Sequence, residues 1–505
     1  MRRGHILAID IGLTNCKTVL FSHAGAMISR ASVPYPTTTP GPGWVEQDPE
    51  DWWDGAVRGV RALRDSAKDA LDSVTAISVT GHMHSLVCLG PEGSALGRAL
   101  VLGDQRGIAE AKQISDEVGM ERIYRLTGAR MDASMPLAKI AWLRRNVPEI
   151  HAHARAFLSC KDWVRHRLTG DVSTDPIDAC GTSLYDIQQR DWSPELMIIA
   201  GIRAEQLPHV ADPCEIAGDL DATAATALGL AAGIPVVVGG GDDVEVLGNG
   251  LMGPGASVEH LGTTGSILTC ADHPVYDPQM SIELYPHPSP DLWVLGGSVT
   301  AAGSALAWAD GVLRPPTTNR AGITAQSAPL HPTQPLVFVP HLSGERCPAW
   351  EPHGRGSWIG LAATHTTDDL RQAVLEGVVF SLKRVLDRLE ALVGPQQQIT
   401  VSGREGDDEG WVNLRANVYN RPLGLLTSPE PTALGAMMLA TVGIGVYNGL
   451  DEAVACVTGV ERLIEPDSAL ARDYARLYHR YCTASEATGA LLRRWTVELP
   501  DGRAT

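Results

Sequence analysis

An α/β fold in two domains is what this sequence predicts, and three observations predict it. Short, continuously apolar or β-branched runs alternate with helical stretches along the whole chain, the pattern of strands buried between helices. At 505 residues the chain exceeds what one hydrophobic core organises, so two domains of about 200–250 residues are expected. A strand, a glycine-threonine turn and a second strand occur near the start and again about half a chain later.

The elements follow in order. His5–Ile9 and Lys17–Ser22 are short apolar runs flanking Asp10-Ile11-Gly12-Leu13-Thr14-Asn15, which predicts a hairpin with a polar tip. Ala26–Val33 extends it into a meander. Pro49 to Ala67 has proline at its start and Trp53, Ala56, Val57, Val60 and Leu63 on one stripe, so it is helical. Strands over Thr75–Thr80 and Ser85–Leu89 flank Gly81-His82-Met83-His84, and Ile234–Val238 is a buried strand ending in Gly239-Gly240-Gly241-Asp242-Asp243. Val258 to Thr269 repeats the opening hairpin, with Gly262 in register with Gly12 and Thr264 with Thr14. A helix over Thr367–Leu392, a strand over Ile399–Ser402 and helices over Pro431–Val442 and Ser468–Trp495 complete the second half. Pro315–Thr318 and Pro329–Pro335 are surface loops.

Composition narrows the function classes. The hydrophobic fraction of 44% and charged fraction of 20% are those of a soluble globular protein. A net charge of −18 argues against nucleic-acid and anionic-membrane partners, which need basic patches, but not against a nucleotide site. The nine cysteines include no Cys-x-x-Cys pair, which predicts reduced thiols and no zinc ribbon. The N-terminus turns acidic too early for a signal peptide, and the longest apolar stretch, Ala433 to Tyr447, is shorter than a bilayer span and broken by glycines. A cytoplasmic location is expected.

Phosphoryl transfer requires donors around phosphates, carboxylates for a metal and a base for the accepting hydroxyl. Gly12, Thr14, Asn15 and Lys17 supply the first kind on one hairpin, although a plain β-turn has the same composition. Gly262-Thr263-Thr264-Gly265-Ser266 is a stronger candidate for an anion-binding nest. Asp242, at the end of a buried strand on a glycine backbone, stands where open α/β sheets bind ligands and suits a general base. Its neighbour Asp243 leaves that assignment open on spacing alone, and an Asx turn is the bland reading. His82 and His84 lack further ligands nearby, so a metal reading is discounted. Asp10 is equally a turn-capping aspartate and a contact for a sugar hydroxyl or aqua-Mg²⁺.

Taken together these residues resemble the FGGY carbohydrate kinases from about Ile6 to about Gly443. The resemblance rests on Asp10-x-Gly-x-Thr-Asn, Gly81-x-Met83-His84, Gly240-Gly241-Asp242, Leu261-Gly-Thr-Thr-Gly265, Gly344-Glu-Arg-x-Pro-x-Trp350 and the alanine-rich Ala433-Leu-Gly435-Ala. It implies the duplicated actin-like ATPase (ribonuclease H-like) fold, two domains around a central cleft. The domain expectation is 1–250 for sugar, 251–450 for nucleotide and 451–505 as a helical extension on the second domain. ATP and Mg²⁺ are the implied cofactors, with a small-molecule sugar as acceptor and a homodimer left open. Asp242 is then the base, and Asp10 and Asp242 hold Mg²⁺ through water. Asp10, Met83, His84, Asp104, Arg106 and Asp242 contact sugar. Gly12, Thr14, Asn15 and Lys17 lie near the transferred phosphate, Gly262, Thr263, Thr264 and Gly265 at the ATP phosphates, and Gly403 and Gly435 at the nucleotide.

Within the family, Met83-His84 is most similar to xylulokinases, which implies a pentulose such as xylulose. Leu102-Gly103-Asp104-Gln105-Arg106 keeps the Asp and Arg of the xylulokinase run but loses its Trp and Asn, leaving another polyol or sugar acid as an alternative. At 402–407, Arg404 and Glu405 put bulk and charge where the family has glycine and alanine. Either the nucleotide is held differently or its affinity is reduced. From a different class, a sugar-binding regulator with a degenerate ATPase site shares that loop, but it requires neither Asp242 nor the two phosphate turns.

Overall fold

The computed structural model describes residues 4–313, 335–402, 409–426 and 430–497. They cluster into two compact units, one of Met1–Met252, Leu284–Trp293 and Glu430–Thr458, the other of Gly253–Glu283, Val294–Pro429 and Gly459–Thr505.

In the first unit, β1 (His5–Ile11) and β2 (Asn15–Ser22) pair antiparallel, and β3 (Met27–Pro34) adds to β2. Ile6, Leu7, Ala8, Ile9 and Ile11 are all buried, so β1 is apolar on both faces, as a central strand must be. Helix α1 (Pro49–Leu71) starts at Asp48, whose side chain accepts from the Glu50 N–H, with proline in its first turn. Trp52, Ala56, Val57, Val60 and Leu63 share one core with Leu7, Ile9, Ile77 and Val79. The buried tryptophan is Trp52, not Trp53 of the expected stripe; Trp53 stays partly exposed beneath the Arg167 guanidinium. β4 (Val74–Gly81) lies parallel to β1. Then come α2 (Pro136–Asn146), α3 (Cys160–Thr169), α4 (Pro176–Gly181), β5 (Ile216–Asp219), β6 (Pro235–Val237) and β7 (Gly240–Gly241). The sheet order is β5-β6-β4-β1-β2-β3, with β7 also paired to β4. The strand expected over 85–89 begins only at Val87, because His84 takes a left-handed φ of 64° and turns the chain.

The second unit repeats the opening. β8 (Ala256–Leu261) and β9 (Gly265–Ala271) form an antiparallel hairpin beside β10 (Trp293–Val299). Helices α5 (Gly303–Val312) and α6 (Thr367–Val393) follow. β11 (Gln398–Ser402) runs parallel to β8, as β4 does to β1, before α7 (Glu409–Tyr419) and β12 (Leu423–Leu426). The chain then returns to the first unit with α8 (Pro431–Gly443) and leaves it again for β13 (Val460–Ile464) and α9 (Ser468–Val497). The strands lie in the order β10-β9-β8-β11-β12-β13. Helix α8 is rich in alanine and glycine because it packs at backbone distance. A Cβ on Gly435 would collide with the Val244 carbonyl, and one on Gly248 with the Pro431 carbonyl.

Candidate active site

Three parallel strands of the first unit end level with one another. Asp10 pairs with Thr80 and Thr80 with Gly240; one step on, Ile11 pairs with Gly81 and Gly81 with Gly241. The carboxyl ends of β1, β4 and β7 therefore deliver the Gly12–Asn15 tip, the His82–His84 turn and Asp242 to one edge of the sheet. That edge is where α/β sheets bind ligands.

Asp10 is 5% exposed, and Lys17 stands opposite it across the hairpin. The Lys17 ammonium lies 3.6 Å from Asp10 and 3.0 Å from Glu430, whose other oxygen pairs with Arg30 at 2.5 Å. Burial pushes the Asp10 carboxyl up to about 6; Lys17 opposes the rise and Glu430 and Glu245 add to it. Burial works against the charge of Lys17 as well, but Asp10 and Glu430 outweigh it and hold the ammonium above its ordinary value. At the tip, the carbonyls face inward. Tyr35 donates through its hydroxyl to Gly12, Gln47 donates to Leu13 at 2.7 Å, and the Gly12 N–H bonds the Asn15 carbonyl at 3.0 Å. Thr14 is left exposed.

The Asp242 turn requires its glycines. Gly239 has φ 74°, and a Cβ there would collide with the Val79 carbonyl; a Cβ on Gly241 would sit 2.9 Å from Met83 Cγ and 3.0 Å from Asp178 Oδ1. Asp242 Oδ1 accepts from the Met83 N–H at 3.2 Å. Burial, then the carboxylates of Asp243, Glu245, Asp10 and Asp178, hold the Asp242 carboxyl well above the ordinary range. Beneath the turn lies a sealed ionic cluster. Lys161 reaches Asp162 at 2.6 Å, Asp175 at 3.0 Å and Asp178 at 3.5 Å. Arg165 pairs with Asp162 at 3.1 Å and donates to the Val238 carbonyl at 2.9 Å, which ties the cluster to the strand leading into the turn.

Met83 is buried, and the His84 ring meets the Gly181 carbonyl at 2.8 Å through Nδ1, while Lys139 donates to the His84 carbonyl at 2.6 Å. Asp104 and Arg106, expected on the sugar, are bound to each other and to the surrounding wall. Arg106 donates to Asp104 at 2.8–3.0 Å and to Glu46 at 2.7 Å, and its guanidinium stacks 4.1 Å over Trp44 and 5.0 Å from Trp142. Asp104 also accepts from the Val45 N–H at 2.7 Å. Gly435 has the packing task already described.

In the second unit the β8–β9 tip is anchored from below. The Gly262 carbonyl accepts from Gly303 N–H at 2.9 Å, and the Thr263 carbonyl from Ala302 and Ser304 N–H at 3.2 and 3.1 Å. Thr263 and Thr264 project into solvent, while Gly265 is buried, with room for a Cβ only 3.1 Å from Ala302 and Leu382 side chains. Glu345, from the longest signature segment, joins three stretches of chain: Thr300 N–H at 3.0 Å, Arg346 N–H at 2.8 Å and Ser381 Oγ at 3.2 Å. Burial raises its carboxyl. Gly403 and the 403–407 part of the unusual loop lie outside the described residues, as does nearly all of the proline-rich 315–335 region.

Sequence reasoning missed Glu430, Glu245, Asp178 and Lys139. A lysine at position 139, on the buried face of an apolar helix, was the one readable signal. Glu430 belongs to the far end of the chain, and nothing local announces its contact with Lys17. Among the described residues no group of three metal-ligating side chains gathers, and no helix is long and apolar enough to cross a membrane. Asp10 and Asp242 nonetheless fit a hard cation held through water: both are buried carboxyls raised by burial and by neighbouring carboxylates, Asp10 among those acting on Asp242, and a divalent cation would relieve that repulsion.

The N-terminal domain model of the FGGY family of carbohydrate kinases matches residues 5–248, and the C-terminal domain model matches 259–444. The chain is 30% identical over 451 residues to a xylulose kinase of Escherichia coli, covering 88% of this chain and 91% of the relative. It is 29% identical over 487 residues to a gluconokinase of Bacillus subtilis, covering 94% of each. The ligand-bound xylulose kinase from Lactobacillus acidophilus superposes with a TM-score of 0.91 at 27% identity, over 97% of this chain and 100% of that one. With both domain models matched in order on an actin-like ATPase fold, this chain belongs to the FGGY family of carbohydrate kinases and is an ATP-dependent sugar kinase.

Proposed function

We propose that the sugar is a neutral pentulose such as xylulose and that Asp242 takes the proton from its attacking hydroxyl. The observation that carries the role of Asp242 is its place at the level ends of β1, β4 and β7, with a carboxyl that burial and the neighbouring carboxylates make more basic than an ordinary aspartate. Met83 and His84 line the same edge and contact the sugar. Mg²⁺ is held by Asp10 and Asp242 through water, and it supplies charge neutralisation at the phosphates. Lys17, fixed by Asp10 and Glu430, orients toward the transferred phosphoryl, and the hydroxyls of Thr263 and Thr264 take the ATP phosphates.

Charge favours a neutral acceptor over a sugar acid. Asp10, Asp242, Asp243, Glu245 and Glu430 already crowd the edge, and the lysines that touch these turns are committed elsewhere. Lys17 pairs with two carboxylates, and Lys139 donates to backbone carbonyls. The gluconokinase relative, nearly as similar as the xylulose kinase, keeps gluconate as the second reading.

The test is coupled ADP release with Mg-ATP across xylulose, ribulose, glycerol, gluconate and hexoses. Xylulose or ribulose is expected to give the highest kcat/KM, whereas a higher value for gluconate would replace the neutral-sugar reading. Asp242→Asn is expected to fold and bind ATP while kcat falls by about 10²–10⁴-fold. Undiminished turnover would remove Asp242 as the base.

A further inference from the structure

Lys139 is fully buried on α2, among the buried side chains of Leu137, Ala138, Ile140 and, one turn on, Leu143. Burying an ammonium is costly, and a leucine or methionine would fill the same space at less cost. Its hydrogen bonds go to three backbone carbonyls, His84 at 2.6 Å, Val101 at 3.0 Å and Leu100 at 3.4 Å. One of these belongs to the turn that carries Met83 and His84. That turn is unfavourable by itself, since His84 holds a left-handed φ of 64° without being glycine. From the other side Gly181 closes on it: its carbonyl meets the His84 ring, and a Cβ there would lie 2.6 Å from Met83 Cε. The Met83 N–H in turn bonds Asp242.

We infer that Lys139 is the positioning residue of the sugar-binding turn. Its ammonium gathers the carbonyls of His84, Leu100 and Val101, which fixes the Met83–His84 backbone and, through the Met83 N–H, the Asp242 carboxylate. The inference rests on the reading that this turn contacts the sugar. A lysine that only filled the core would alter stability and leave sugar affinity alone.

Its protonation is itself near a switching point. Burial pushes Lys139 down to about 7, with Asp104 and Asp132 holding it up and Arg106 pressing it down. The charged and titratable groups facing it are Asp104 and Arg106 from the segment after Val101, Asp132 from the loop before α2, and His82 and His84 from the turn itself. A neutral amine still bonds carbonyls, but without the assistance of charge.

Steady-state kinetics of Lys139→Met and Lys139→Gln provide the test. Lys139→Met is expected to raise sugar KM by about 10–100-fold, the scale of a small misplacement at a reacting centre, while ATP KM stays within about twofold. Lys139→Gln, which keeps amide donors, is expected to lose less and carries the test should the methionine variant not fold. An unchanged sugar KM, or equal rises in both KM values, would overturn the inference. A readout free of turnover is the His84 ring signal in ¹³C-histidine NMR, assigned by its loss in His84→Gln. It is expected to move in Lys139→Met while that of exposed His209 does not. A stationary His84 signal overturns the inference. A moved signal in a protein that phosphorylates no sugar of the panel supports it and removes only the substrate reading.

Discussion

In the β1–β2 hairpin the strands close at Ile11 opposite Cys16, around Gly12, Leu13, Thr14 and Asn15; in β8–β9 they close at Leu261 opposite Gly265, around Gly262, Thr263 and Thr264. Counted back from each tip glycine, Asp10 corresponds to His260, and their cross-strand partners Lys17 and Ser266 correspond as well. One residue deeper, buried Ile9 corresponds to buried Glu259, which pairs with Arg415 at 2.5 Å and accepts from the Tyr419 hydroxyl at 2.5 Å. The first hairpin thus carries its charge at the tip and keeps an apolar core. The second carries hydroxyls at the tip and has its charge in the core. One scaffold holds two chemistries because tip and core positions vary independently while the parallel neighbour, β4 or β11, fixes the backbone.

The largest way to break this comparison is to exchange charge at the tips. Asp10→Asn is expected to lower kcat by about 10³-fold, the scale of losing one preorganised electrostatic group, while His260→Asn leaves kcat nearly unchanged. Equal losses would mean that both tips carry the reacting charge. Next in size is the buried pair. Arg415→Met is expected to cost about 3–5 kcal/mol in denaturant unfolding, because it strands the Glu259 carboxylate in the core. The triple change Glu259→Ile, Arg415→Met, Tyr419→Phe gives β8 the apolar solution of β1 and is expected to recover most of that loss. Failure to recover would mean the ionic pair specifies packing that apolar residues cannot.

A smaller effect follows from pH. The folded-state carboxyl of Asp10 titrates near 6 against an ordinary value of 3.8, so between these values the folded chain binds more protons than the unfolded one. Stability from this group is therefore present at low pH and lost as pH rises through about 4–6. Asp10→Asn removes the buried charge, so it is expected to raise Tm by a few degrees at pH 7.5 and by much less at pH 4.5. A lower Tm at pH 7.5 would mean that the Lys17 ion pair outweighs the burial of Asp10.

Most of the fold was legible because its strands are short apolar runs between glycine-bearing turns, and its long helices have clear starts. Thr366 caps α6 through the Asp369 N–H, and Pro431 opens α8. The tip residues were legible for the same local reason. What lay hidden is carried by long-range contact. Glu430 meets Lys17 from the far end of the chain, and the Lys161 cluster props up a turn that sequence alone showed only as three glycines and two aspartates. Asp104 and Arg106 were visible as a motif, but their mutual pairing depends on Glu46, Trp44 and Trp142, which come from other segments. Gly435 was legible as a position of close approach, and the structure shows one such approach, to the Val244 carbonyl. The register between the two hairpins was read from the glycine forward, which matches Thr14 to Thr264. Read back from the return strand, Thr264 matches Asn15, because the second tip is one residue shorter.

That one-residue slip supports the last and smallest prediction. The shorter tip, clamped through the Gly262 and Thr263 carbonyls to the first turn of α5, leaves both threonine side chains exposed on a backbone that cannot shift. A hydroxyl so held, donating to a phosphate, contributes about 1.5 kcal/mol or somewhat more, so Thr263→Val and Thr264→Val are each expected to raise ATP KM by about tenfold. The substitutions keep side-chain shape, and folding should be unaffected. Thr14 sits on the longer tip beside the charge pair, where the proposed reading puts the transferred phosphoryl. There an interaction made mainly in the transition state lowers kcat and leaves ATP KM alone, which is the pattern expected of Thr14→Val. Kinetics of the three variants at saturating sugar separate the roles. If Thr14→Val moved ATP KM and the Thr264 change moved only kcat, the tasks of the two hairpins would have to be exchanged.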